Sequence, residues 1–222
     1  MVEVRMESGL PGLTLALVES HGVCIEAATA ELRQLCAAAA TAARNAVAGG
    51  DTRRQAIRGL LRSGGFKPSG RNKPAQEYLL RTATEGGQLP AISNAVDLIN
   101  LVSLQSGLPI SLVSLDRVAG PLVVRVGIAG EKFVFNRTGQ ELDVEGLLSI
   151  CESCPGGSEP VATPVKDSMR AKVTEEDHHL LACIYGSQDA VSEAELHRWA
   201  EELAMGLDRF CGADRVETTF LP

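Results

Sequence analysis

No apolar run in this chain approaches the roughly 20 residues that a helix needs to cross a bilayer, so no membrane-spanning helix is expected. Aromatic residues make up only 4% against 45% hydrophobic residues overall, which is a globular composition. Basic charge is not in excess: the formal net charge is −7, so the chain as a whole is not an obvious nucleic-acid binder. Residues 1–12 contain no basic region followed by an apolar core, so no secretory signal is expected and the chain reads as cytoplasmic. Internal repeats and low-complexity tracts are missing. Cysteine is not scarce, with six residues, and without a secretory signal these are expected to be reduced thiols, several of them buried. Cys151-Glu152-Ser153-Cys154 has metal-ligand spacing, but no second pair stands at finger distance and no histidine is close in sequence. No metal and no cofactor is therefore expected. At 222 residues the chain fits one large domain or two small ones and can bury a proper core.

Charge is unevenly placed. Arg53, Arg54, Arg58, Arg62, Lys67, Arg71, Lys73 and Arg81 fall in one stretch where Glu77 is the only acid. Most acids lie nearer the C-terminus, among them Glu175, Glu176, Asp177, Glu193, Glu195, Glu201 and Glu202. The basic stretch is either a local phosphate-binding face or two solvated helix faces. His178 and His179 beside Glu175–Asp177 read as a solvated helix start rather than a metal cluster, because neighbours on a helix diverge by about 100°. His21 and His197 have no partner legible in the sequence.

The periodicities give an α+β chain, with helices in the first half and strands plus a closing helix in the second. Residues 13–18 read as a strand, and 22–25 as a short second one. The alanine-rich segment 27–48 is a long helix by propensity, stopped by Gly49-Gly50. Helices follow over 53–62 and 74–84, separated by a polar loop over 66–73. Residues 109–115 and 121–128 alternate as strands. Residues 132–135 follow Ala129-Gly130-Glu131 in a hairpin-like turn. Residues 151–160 read as a loop, and 161–165, 171–173 and 180–185 as strands. Ser192 with Glu195 forms a capping box for a helix to about Cys211.

The segment 81–100 is the most informative. A Gly86-Gly87…Pro90 turn leads into a helix carrying Asn94, Asp97 and Asn100 at three-residue spacing, so they share a face. Asn and Asp are poor helix formers. The ladder either lines a site or ties down neighbouring backbone.

The run Gly86-Gly87, Pro90, Ile92, Asn94, Val96-Asp97, Asn100, Gly107, Pro109 and Leu115-Asp116-Arg117, continued by Val123-Val124-Arg125-Val126 and Gly130-Glu131, resembles the B3/B4 domain of the bacterial phenylalanyl-tRNA synthetase beta subunit. The likeness is good over about residues 60–140 and loose beyond. It implies a B3/B4-like α+β fold, a mixed sheet with flanking helices and a central pocket. The chain is read as one such domain over 1–222, with 1–50 an N-terminal strand and Ala-rich helix extension and 51–222 the core. In the synthetase this domain hydrolyses mischarged tyrosyl-tRNA. The resemblance thus implies a trans-acting hydrolase with a tRNA acceptor end as partner and a mischarged aminoacyl ester as substrate; the alternative is a non-catalytic module that binds tRNA or a small molecule such as a free amino acid. This chain departs from the family where the synthetase has His in a Gln-Pro-Leu-His motif, since Ser111 stands there.

Ester hydrolysis needs a held water, donors for the oxyanion and a selective shape. The ester is already activated, and the terminal adenosine's hydroxyls can orient the water, so a catalytic histidine is not essential. The candidate catalytic residues are Asn94, Asp97 and Ser111. Asn100, Ser114, Thr163, Lys166 and Asp167 are candidates for the pocket. Lys67, Arg71 and Lys73 are candidates for RNA backbone contacts. Ser111 and Ser114 either face one cavity or simply sit along a strand.

Overall fold

The computed structural model describes residues 1–7, 10–45, 51–118 and 120–222. In chain order the elements are β1 (Val4–Met6), β2 (Leu13–His21), α1 (Ala30–Asn45), α2 (Asp51–Arg62), α3 (Ala75–Gly86), α4 (Asn94–Ser106), β3 (Ile110–Ser114), β4 (Leu122–Val126), β5 (Lys132–Val134), β6 (Glu141–Asp143), β7 (Leu148–Cys154), β8 (Gly157–Ala162), β9 (His179–Ser187), α5 (Glu193–Cys211) and β10 (Arg215–Leu221). Among the described residues no helix is long and apolar enough to cross a membrane.

Two four-stranded sheets organise these elements. One has the order β1-β4-β7-β8, with β1 and β4 parallel and the other pairs antiparallel. The other has the order β10-β2-β9-β3 and is antiparallel throughout. The second sheet is central, and strand alternation shows why. Leu13, Leu15 and Leu17 of β2 join Leu181, Cys183 and Tyr185 of β9 in a core shared with Leu122, Val124, Leu148 and Ile150 of the first sheet. Ala16 and Val18, with Ala182 and Ile184, turn the opposite way into a core built with α1, α4 and α5. The result is three layers: sheet, sheet, helices.

Helix α4 is buried on most of its circumference. Ser93 caps its start by accepting from the Val96 amide, and Gly107, at φ 68°, ends it with its N–H on the Ser103 carbonyl. A side chain at Gly107 would be strained in that left-handed conformation. Gly206 of α5 lets the two helices close on each other, since a Cβ there would stand 2.6 Å from Leu98 Cδ1.

Several sequence expectations change. Residues 151–160 are not a loop: they lie in the β7–β8 hairpin, where Cys154 pairs with Gly157. Cys151 and Cys154 are three apart on β7 and so point to opposite faces. Residues 132–134 do not fold back on β4; they pair with β6 across a Gly139 turn at φ 75°. Glu131 instead reaches back to Arg125 in a bidentate pair. Residues 22–25 and 171–173 form no strand, and β8 ends at Ala162. His178 and His179 do not open a helix, because His179 begins β9 and the Asp116 carboxylate accepts from both backbone amides. The expected end of the first helix at Gly49-Gly50 lies outside the described residues.

Candidate functional site

Asn94 and Asp97 stand at the start of α4, and their polar atoms are engaged with main chain. Asn94 Nδ2 donates to the carbonyls of Cys24 (2.8 Å) and Phe210 (2.9 Å). Its Oδ1 accepts from the amides of Glu26 (3.1 Å) and Ala95 (2.8 Å). All four bonding positions of the amide are filled. Asp97 Oδ1 accepts from the Ile92 amide at 2.9 Å. Burial pushes its carboxyl above the usual range, and the Ile92 and Ser93 amides offset part of that. The two residues knot together the segment at Cys24–Glu26, the start of α4 and the end of α5. Asn100 is half-buried. The structure does not join this group to Ser111, whose hydroxyl engages the Thr163 carbonyl and Tyr185 instead, on the face of β3 opposite to the one that Ile110 and Leu112 turn to the helices.

Ser111, Thr163, Lys166 and Asp167 do come together. β3 is the outer strand of its sheet, and an outer strand leaves unpaired amides. The Thr163–Asp167 turn covers them. Asp167 Oδ2 accepts from the Leu112 amide at 3.2 Å, and the Ser114 amide donates to the Ala171 carbonyl at 2.9 Å. Thr163 Oγ1 shapes the turn, accepting from Lys166 N (3.0 Å) and donating to Lys166 O (2.8 Å). Ser111 Oγ donates to the Thr163 carbonyl at 3.0 Å and lies 3.0 Å from Tyr185 Oη. Tyr185 is fully buried, and burial drives its hydroxyl well above the usual phenol range.

Asp167 is half-buried as a residue, yet its Oδ1 is sealed from solvent and has no hydrogen-bond partner. Burial lifts its pKa to about 6, against the opposing pull of Ser111 and the Leu112 and Thr163 amides. Ser114 lies on the opposite face of β3 from Ser111, since side chains alternate along a strand; the two serines cannot share one cavity.

Lys166 is half-buried, with Nζ 3.8 Å from the centroid of the Phe135 ring. Burial lowers its pKa, and the nearby charge of Arg71 lowers it further. The loop carrying Arg71 is held between the buried prolines Pro68 and Pro74. It is stitched to the turn by the Ala75 amide, which donates to the Pro164 carbonyl at 2.9 Å. Lys67, Arg71 and Lys73 are exposed. Two further cations of the basic stretch serve the fold. Arg53 pairs bidentately with Glu195 at 2.8 Å and donates to the Ala190 carbonyl; Arg58 pairs with Glu77.

The sequence reading missed Tyr185, which looks like one more apolar strand residue. It also missed a group on the same sheet face: Glu19, His21 and His179, brought together by the pairing of β2 with β9. The spacing of Glu19 and His21 on one strand face was available. Their register with His179, 158 residues further on from His21, was not. Two surface hollows of about 450 Å3 each lie along α5, one beside His197 and Arg198 and the other between Thr14, Leu196 and Phe220. Neither contains an expected site residue.

No curated protein matches the sequence. Among solved structures, the chain is similar to an N-terminal fragment of the phenylalanyl-tRNA synthetase beta-subunit from Pyrococcus horikoshii, at 10% identity and a TM-score of 0.50. The likeness takes in 100% of this chain and 54% of that one, so the chain spans about half the length of the fragment it matches. The B3/4 domain family model matches residues 66–204. That is more than half the chain, and it includes α4 and the Ser111–Asp167 group: the protein belongs to the B3/4 domain family.

Proposed function

We propose that the chain binds the acceptor end of a tRNA and that Asp167 positions the water that cleaves a wrongly attached aminoacyl ester. The observation that carries the reading is Asp167 Oδ1, an enclosed and unpartnered carboxylate oxygen beside a hydroxyl pair, on a turn whose preceding residue, Lys166, feels the charge of the exposed Arg71. Arg71 and Lys166 supply charge for phosphate, with Lys67 and Lys73 on the same loop. In this reading the acceptor end displaces the Thr163–Asp167 turn far enough to admit a water to the sealed Oδ1; Asp167, ionised above about pH 6, then accepts from it, and Ser111 and Tyr185 fix the carboxylate's surroundings. The adenosine hydroxyls complete the arrangement, and the activated ester needs no stronger base. The likeness to a tRNA synthetase fragment supports tRNA as the partner. In this reading Asn94 and Asp97 act as scaffold.

A second reading rests on Gln76. It is buried in the first turn of α3, and neither its Nε2 nor its Oε1 has a partner. A buried amide lacking both bonds costs several kcal/mol, and a small ligand offering one donor and one acceptor, such as a free amino acid, would satisfy it. Two measurements decide. Binding of tRNA is followed across salt concentrations, and release of amino acid is followed over a panel of charged tRNAs, for the wild type and Asp167→Asn. The tRNA reading requires salt-dependent binding and a deacylation that Asp167→Asn abolishes. Absence of affinity at low salt sinks it. Binding without release leaves a tRNA-binding module, and stabilisation by an amino acid alone selects the second reading.

A further inference from the structure

The face of the central sheet that carries Ser111 and Tyr185 ends, beyond Leu17 and Leu181, in a second polar group. Glu19 and His21 are two apart on β2 and so share a face. His179 stands directly across from His21 in the β2–β9 register, at the separation where cross-strand side chains meet. Glu19 Oε1 is 2.7 Å from His179 Nε2 and 3.0 Å from His21 Nε2. The two imidazoles stack with centroids 4.0 Å apart at 26°. One donor atom from each of the three side chains lies within 4.8 Å of the others. The carboxylate is enclosed, with 2% of its side chain exposed, while the rings are 28% and 30% exposed. The Val2 amide holds the second carboxylate oxygen in place.

We propose that Glu19, His21 and His179 form a Zn2+ site, with the fourth position open to water. Two imidazoles and one carboxylate are a borderline-soft donor set suited to zinc, and three protein ligands plus a water are the pattern of an open zinc site. With bonds of about 2.0–2.2 Å, tetrahedral donors stand roughly 3.3–3.5 Å apart. The observed oxygen–nitrogen spacings, 2.7 and 3.0 Å, are shorter, and because each ring nitrogen binds along its own ring plane the stacked imidazoles must splay out of their 26° arrangement to meet at the ion; their outer edges are exposed enough to allow it. His21 Nε2 is contested without a metal: Arg215 Nη2, a donor, lies 2.9 Å away and Glu19 Oε1, an acceptor, 3.0 Å away. One nitrogen cannot both accept from the guanidinium and donate to the carboxylate. A cation accepted by Nε2 and Oε1 together resolves that conflict, and the exposed Arg215 side chain turns to solvent. Glu217, opposite Glu19 on β10, already pairs with the Met1 ammonium at 3.2 Å and lies 3.6 Å from Arg215, so it offers Arg215 a partner when the guanidinium leaves His21. The site shares no residue with the Asp167 group, so it stands or falls independently of the proposed function.

The full chain, stripped with a chelator, is titrated calorimetrically with Zn2+ and, separately, with Mg2+. Co2+ is then loaded as a spectroscopic probe. Cys24→Ser/Cys154→Ser is the background, because these two thiols are not buried and accessible thiolates are themselves zinc ligands. The expected result is one Zn2+ per chain, no Mg2+ binding, tetrahedral Co2+ absorption, and at least a hundredfold weaker zinc binding in both His21→Asn and His179→Gln. Arg215→Ala is expected to bind zinc as tightly as the background or tighter. Loss of zinc binding in the cysteine background, or 1:1 binding retained in His21→Asn, overturns the proposal. Wild-type Co2+ spectra of octahedral type overturn it whether or not the variants fold.

Discussion

Asp167→Asn provides the sharpest test of the enclosed carboxylate. Its pKa is lifted from an ordinary 3.8 to about 6 because burial disfavours the charged form. The folded protein therefore holds this proton more tightly than the unfolded chain does. The stability contributed by the protonated group is fully present below the unfolded value and is lost as pH rises through about 6. A shift of that size corresponds to about 3 kcal/mol at 1.36 kcal/mol per unit. Roughly two thirds of it falls between pH 4.5 and 7.5, and discounting for the residue's partial exposure leaves about 1–2 kcal/mol. Asparagine keeps an oxygen for the Leu112 amide and removes the charge. The stability of Asp167→Asn relative to wild type should thus grow by about 1–2 kcal/mol from pH 4.5 to 7.5, or roughly 2–8 °C in Tm. Urea unfolding of both proteins at the two pH values measures it, and every other titrating group cancels in the difference. An equal difference at both values would show that the carboxylate is not enclosed, and would remove the basis for its role with water.

Asn94→Ala leaves two carbonyls and the Glu26 amide unsatisfied, and should destabilise by about 3–5 kcal/mol in denaturant unfolding; a loss below 1 kcal/mol would contradict its role as a knot. Gly206→Ala crowds Leu98 and should cost about 1–3 kcal/mol. Combined with Leu98→Ala it should cost less than the sum of the two single changes, as a double-mutant cycle would report. Arg71→Ala/Lys166→Ala should lower the salt slope of tRNA binding by about 1–2 while leaving Tm nearly unchanged; an unchanged slope would place the RNA elsewhere.

Segments whose fate is local were legible. The α4 signature, with its turn, polar residues and Gly107 stop, fixed a helix whatever it packed against, and alternation marked β3, β4 and β9. The Ser192 cap of α5 was equally plain. Elements decided by distant partners were not. Residues 151–160 have the Gly, Ser and Pro of a loop, yet β4 offers β7 a row of amides and carbonyls to pair with. The Lys132 strand found β6 rather than β4 because the Glu131 carboxylate is drawn back to Arg125. The B3/4 family could be read from the motif around Asn94 even though that motif serves the fold. Its amide ties three segments together, and such a knot specifies an architecture without specifying chemistry.

By itself, then, the amino-acid order determined the helices, most of the strands and the family, because caps, turns and hydrophobic periods act within a few residues. It also placed Lys67, Arg71 and Lys73 on an exposed, proline-bounded loop. Only the tertiary structure decided which polar groups meet. The Thr163–Asp167 turn lies against Ser111 and Tyr185 because β3 is an outer strand in need of cover. His179 lies against His21 and Glu19 because β2 and β9 pair in one register. Both groups are made by side chains more than 50 residues apart, and nothing within either segment alone dictates the face on which they meet.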